Sequence, residues 1–432
     1  MIALHFDIYT RYILEPGLND QRKALEWIHY YIQGFGGDPE NVTLFGEDSG
    51  AMDIVYQLLS TANQTRPLFS RAIIQSAIIE SYLPNVVQAG CHLSRILSSL
   101  HVSSVDELRT IDVKKLVEMR SLHRVIDDGE FFRTDWHEYF NHNPSSRNDK
   151  ENTSLKVVPP RPSRSRLQEL RSTSNIQALN NLQPLIIGDC CSDSMLWSGP
   201  ISTWTGPAVV RRLKACIQSL TKANNLLRAF EISSCTPDEE LPEHLLELVN
   251  DARVAWPAEI IARNAKRERG GHNVWRYVFD QEGPSRGVPH HAADLIYLFD
   301  NVPLPEIKSA TTLSTDVCYD SPFDDVDDDE IDIERRSWGS TSEEEWETYV
   351  VNQFSYARVK DTIQEKWIAF ANGEAPWNED NVFVFGPEGE TGERSNSIFE
   401  GRRRQKLWKE ILEPLGMQLV QKVGAELSRG PY

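Results

Sequence analysis

Apolar residues recur at helical spacing across residues 17–34 (GLNDQRKALEWIHYYIQG), where Leu18, Ala24, Leu25, Ile28 and Ile32 share a face and predict a helix. The GFGGDPEN that follows is turn chemistry. Residues 42–45 form a short apolar run that predicts a strand, and beyond GEDSG the segment AMDIVYQLLS suits a second helix. Further strands are predicted at 70–75 (SRAIIQ), 182–187 (LQPLII) and 273–279 (NVWRYVF). Strands separated by helices imply an α/β architecture, a mostly parallel sheet covered on both faces.

Composition agrees with one large or two ordinary globular domains: 432 residues, 40% hydrophobic and 25% charged. The formal charge of -19 repels phosphate backbones and anionic lipid, so binding to nucleic acid is not expected. That acidity is concentrated. Residues 316–347 hold eight Asp and six Glu against Arg335 and Arg336, a local net of -12, and the other 400 residues carry only -7. Such a segment repels itself and buries little, which predicts a solvated or disordered insertion. A second polar stretch, 141–173, is rich in Pro and Ser, carries a net of +4, and reads as an insertion loop. The remainder reads as a single domain over 1–432 with no internal repeat.

The six cysteines show no CxxC pair or histidine pattern and read as free thiols, and no metal or phosphate-binding motif points to a cofactor. No stretch reaches the roughly 18 apolar residues of a membrane span. The first residues, MIALHFDIYTRYIL, lack a basic n-region, so a cytoplasmic location is the expectation; an extracellular one would follow if the native chain began further upstream. The sequons at Asn41, Asn63 and Asn152 matter only in that second case.

Chemistry enters with GLNDQRKALEWIHYYIQGFGGDPENVTLFGEDSGAMD, residues 17–53. It resembles the nucleophile region of the type-B carboxylesterase/lipase family, which includes the cholinesterases and has the α/β-hydrolase fold. VIDDGEFF (125–132), PLIIG (184–188), GVPHHAADLIYLF (287–299) and WIAFANGEAPW (367–377) resemble later family segments in order. The resemblance covers nearly the whole chain except the two charged insertions, and its C-terminal RRRQKLWKEIL resembles fungal members.

The family chemistry needs a serine at the centre of GxSxG, on a tight strand-to-helix turn that presents one side chain at the top of the sheet. Here the pentapeptide is Gly46, Glu47, Asp48, Ser49, Gly50, so Asp48 holds the serine position. A one-residue slip that made Ser49 the nucleophile would flank the turn with Glu47 and Ala51, whereas small residues are expected there. Gly46 and Gly50 keep Asp48 on the turn. By resemblance, the acid lies five residues after Gly188, at Asp193, and HAADLIYLF places the general-base histidine at His291. Ser49 supplies one oxyanion-hole amide, and the second normally comes from an upstream HGGG-type loop.

Only sixteen residues precede Gly17, so that loop and the first strands of the sheet are expected to be missing, with Met1 an internal methionine or a mispredicted start of a longer native chain. Three functions compete. The first is a hydrolase of a small-molecule carboxylic ester, impaired because loss of the attacking hydroxyl costs on the order of 10⁶ in rate. The second is a non-catalytic homologue that binds a ligand or partner. The third is a hydrolase with Asp48 itself as nucleophile on alkyl carbon. Trp197 and Trp204 follow the acid and would line a substrate gorge or pack in the core.

Overall fold

The computed structural model describes residues 16–80, 82–118, 125–140, 182–284, 286–302, 304 and 351–431. The insertions at 141–173 and 316–347, the first fifteen residues, Asn152 and Cys318 lie outside the described residues.

Six strands form one sheet in the order of the chain: β1 (Thr43–Glu47), β2 (Arg71–Gln75), β3 (Leu185–Cys190), β4 (Val274–Phe279), β5 (Asn381–Phe385) and β6 (Thr391–Ser395). The first five are parallel, and β6 returns antiparallel to β5. The four strands expected from the pattern are β1 to β4, each displaced by one to three residues from its predicted start. The pair β5 and β6 lies outside those expectations: β6 (TGERS) is polar, with no residue fully buried and no apolar alternation, whereas β5 (NVFVF) is as apolar and buried as the strands that were expected. The helix predicted over 17–34 is α1 (Pro16–Tyr31) followed by a 3-10 turn, Ile32–Phe35. That over AMDIVYQLLS is α2 (Ser49–Leu58).

Side-chain alternation explains why the sheet is covered on both faces. Ala72, Ile74, Leu185, Ile187 and Val274 pack against α2 and the helix Trp256–Glu268. Ile73, Ile186, Trp275, Tyr277 and Phe279 point the other way, into a core closed by the helices Ala293–Phe299 and Gln353–Ala371. A separate, wholly helical core gathers Trp204, Leu213, Leu245, Trp256 and Leu427. Trp204 is therefore a core residue, its indole N–H donating to the Leu427 carbonyl at 2.8 Å.

Buried charge ties the middle of the sheet to the C-terminal region. Asp189, fully buried at the end of β3, accepts from Arg276 of β4 at 3.2 Å and from Arg403 at 2.9 Å. Arg403 also donates to Asp280 at 2.9 Å. Burial works against the cation, yet the facing carboxylates of Asp189 and Asp280 hold the Arg403 guanidinium well above the ordinary arginine value. β1 has one neighbour, β2, among the described residues, and Phe45 beside its other edge is half exposed, its ring 6.0 Å from Phe299. The five described cysteines are free thiols, and no helix among the described residues is long and apolar enough to cross a membrane.

Gly188 shows how tightly the sheet is packed over its face. A Cβ there would lie 2.1 Å from the ring of Tyr277, which is fully buried and unable to retreat. Gly188→Ala is expected to destabilise the fold by about 1–3 kcal/mol, read as a lower urea midpoint at unchanged slope.

Candidate active site

The carboxyl ends of four adjacent strands converge on one place, where ligands bind in open α/β sheets. Glu47 ends β1, Gln75 ends β2, Asp193 follows β3, and His291 lies on the loop after β4. A cavity of about 430 Å³ opens at the opposite ends of the strands, among Arg71, Pro184, Trp275 and Trp377, and contains none of these residues.

The strand-to-helix turn is strained at Asp48. This residue has φ 55° and ψ -119°, a conformation few side-chain-bearing residues adopt, and its N–H donates to the Gln75 carbonyl at 3.2 Å. Gly46 permits the turn, since a Cβ there would lie 2.7 Å from the backbone of Gly50. Gly50 differs from expectation: a Cβ on it would meet nothing within 4 Å, so the small residue is required on the strand side only. Ser49 is the first residue of α2, so the residue at the strained corner is Asp48. The Ser49 amide lies in the first helical turn, where N–H groups lack intrahelical acceptors. The second amide expected from an upstream loop has no counterpart among the described residues.

The acid and the histidine meet. A bridge between Ser192 and His290 brings their loops side by side, with the Ser192 N–H donating to Pro289 at 3.0 Å. Asp193 is fully buried; its Oδ2 accepts from the Cys190 N–H at 3.0 Å, and its Oδ1 lies 2.7 Å from His291 Nδ1. The sequence placed these two residues without showing the third partner. Glu47 Oε1 lies 2.9 Å from His291 Nε2, the nitrogen that in a catalytic triad faces the nucleophile. Its signal was present in the motif, one residue before Asp48, but a strand-end side chain can point to either face, and the pattern alone did not choose.

Two carboxylates on one imidazole decide its charge. Burial pulls the His291 pKa down, but the hydrogen bond to Asp193 and the Glu47 carboxylate outweigh it and raise it from 6.5 to about 10. Desolvation pushes Asp193 up from 3.8 to about 6, against the opposing pull of His291. Between about pH 6 and about pH 10 Asp193 is therefore a carboxylate and His291 an imidazolium. Beneath it Asp294 is fully buried, accepting from Gln75 at 2.8 Å and from the Tyr277 hydroxyl at 2.9 Å, and burial raises its pKa as well. His290, the other member of the histidine pair, turns away, its Nδ1 2.7 Å from the His291 carbonyl.

This strand order and the strained corner are those of the α/β-hydrolase fold. The model of the carboxylesterase family matches residues 16–199. Lipase 3 of Yarrowia lipolytica (strain CLIB 122 / E 150) is 22% identical over 300 residues, 67% of this chain and 51% of its own length. The chain thus spans about half of that relative. The inactive carboxylesterase-like protein VdtD of Byssochlamys spectabilis is 39% identical over 111 residues, 24% of this chain and 18% of its own. The solved carboxylesterase EST55 of Geobacillus stearothermophilus has the same fold, with TM-score 0.56 at 18% identity over 90% of this chain and 68% of that one.

The raised pKa has a sign that can be measured. Because the folded value exceeds that of a free histidine, the proton held on His291 contributes stability that is present near pH 6.5 and lost as pH rises through about 10, while protonation of Asp193 at about 6 removes its ion pair on the acid side. In proton–carbon NMR, the His291 Cε1–H resonance is expected to keep its imidazolium position through neutral pH and to move only near pH 10. Glu47→Gln should bring the midpoint down toward the ordinary histidine value. A midpoint near 6.5 in the unaltered chain would contradict the two-carboxylate arrangement.

Proposed function

We infer that this carboxylesterase-family chain binds a small ligand at its elbow and no longer performs efficient serine-type acyl transfer. The observation that carries the reading is the Glu47 carboxylate, 2.9 Å from the His291 nitrogen that would take the nucleophile's proton. An imidazolium has no lone pair with which to act as general base. With Asp48 at the corner there is also no hydroxyl for it to activate. Either change alone removes a step of the triad mechanism. Both act together here. A relative described as an inactive carboxylesterase-like protein agrees with this direction.

The same protonated histidine weighs against Asp48 as a nucleophile on alkyl carbon, because the ester so formed would need a base to activate water for its release. Impaired carboxylic-ester hydrolysis remains the second reading, favoured by the 2.7 Å contact between Asp193 and His291. In that reading the substrate is a small-molecule carboxylic ester, as the family resemblance implies.

The two readings differ in what p-nitrophenyl butyrate and a fluorophosphonate probe should do. The unaltered chain is expected to hydrolyse the ester at the rate of a heat-denatured control and to leave Ser49 unlabelled. Asp48→Ser alone should stay inactive near neutral pH, since His291 is still protonated. Pairing it with Glu47→Gln should produce both labelling at position 48 and measurable turnover, rising with pH. Turnover by the unaltered chain that is lost in His291→Ala would overturn the ligand-binding reading.

A further inference from the structure

Arg253 sits on a single π-helical turn, Asp251–Ala255, between the helices Leu241–Asn250 and Trp256–Glu268. Such turns insert an extra residue into a helix and re-aim a side chain, and they recur at functional sites. Its guanidinium lies over the ring of Trp197 at 4.3 Å, and Nη1 donates to Ser428 Oγ at 2.9 Å. The stem passes close to Gly424, where a Cβ would lie 2.7 Å from Arg253 Cγ. The side chain is thus held from three sides and largely buried.

What it lacks is an anion. A guanidinium has five N–H donors, and Arg253 spends one on a described acceptor. Its neighbours in the helical layer are matched: Arg212 with Glu426, Arg263 with Glu413, and Arg404 with Glu247 and Asp251. Arg253 has no carboxylate within ion-pair distance among the described residues. Burial depresses its pKa to about 10, while Glu80 and Asp48 act on it electrostatically from beyond contact. The Asp48 carboxylate likewise has no hydrogen bond or ion pair with a described residue. Asn250, three residues before Arg253, holds the loop of the acid, accepting from the Ser194 N–H at 3.0 Å and donating to the Cys191 carbonyl at 3.1 Å, so the unmatched cation stands beside the segment that carries Asp193.

We propose that Arg253, set against Trp197, is the anion-recognising residue of the elbow pocket, and that its ligands are small carboxylates with an apolar body. The planar fork suits a carboxylate's two oxygens, and the indole supplies an apolar wall beside it. Asp48 and Glu80 compete with such a ligand for the same cation, which gives the charge dependence a definite sign. The assignment names the ligand class for the pocket inferred above and rests on that reading of the elbow.

The test uses phenylacetate and its neutral counterpart phenylacetamide as probes, with binding to the whole chain followed by calorimetry. Phenylacetate is expected to bind saturably and phenylacetamide about ten- to a hundredfold more weakly, the range for losing a hydrogen-bonded charge. Arg253→Met should abolish that preference, and Arg253→Lys should reduce it while circular dichroism stays unchanged, so the comparison survives if the methionine variant misfolds. Asp48→Asn should tighten phenylacetate and leave phenylacetamide unmoved. Equal binding of both probes, no binding by the folded chain, or a preference that persists in both Arg253 variants would overturn the proposal. A chain that hydrolyses esters yet prefers phenylacetate through Arg253 supports the assignment and overturns only the non-hydrolytic reading.

Discussion

The site depends on one interaction, an imidazole with a carboxylate on each ring nitrogen. A histidine paired with a single carboxylate keeps its second nitrogen available as a base; a second carboxylate converts it into a fixed cation. Here Asp193 is buried and held by the Cys190 amide, and Glu47 is fixed by its place at the end of β1. Neither carboxylate can leave without uncovering a charge. The histidine thus ties the end of β1 to the loops after β3 and β4, and in the reading proposed above the same contact that orders the loops removes the base.

Much of this was legible in the chain. The strands β1 to β4 announced themselves by apolar runs between turn residues, and the segment around GEDSG carried its resemblance over enough positions to order Asp48, Asp193 and His291. The sharp corner at Asp48 followed from the glycine before it, although Gly50 turned out to have open space. Illegible were the features that arise only when distant segments meet. Glu47 reads as one more acidic residue until β1 is set beside the His291 loop. Arg253 reads as a basic position in an amphipathic helix, because a π-turn leaves no mark in hydrophobic periodicity. The strand β6 is polar because one of its faces meets water, so its pattern resembled a loop.

The charge of the chain takes on a local meaning at the same place. Its overall acidity is concentrated in residues 316–347, yet the elbow has an acidic cluster of its own, Glu47, Asp48, Asp193 and Asp294, with His291 and Arg253 as the nearby cations. Asp48, at the position where the family resemblance expects a serine, adds one more acidic side chain to that group. A hydrolase that stabilises a developing oxyanion has reason to avoid such a charge, whereas a pocket that sorts ligands by charge can use it.

The buried pairs of Asp189 with Arg276 and Arg403, and of Arg403 with Asp280, have a consequence for motion. They join the carboxyl ends of β3 and β4, from which the Asp193 and His291 loops depart, to a segment more than a hundred residues later in the chain. Local opening of the C-terminal region would strand those charges in a dry interior, so the penalty for peeling it away is felt directly under the site. Fraying that would be harmless at an ordinary terminus is therefore coupled to the loops that carry the acid and the histidine, and the two ends of that linkage should exchange their amide protons as one cooperative unit.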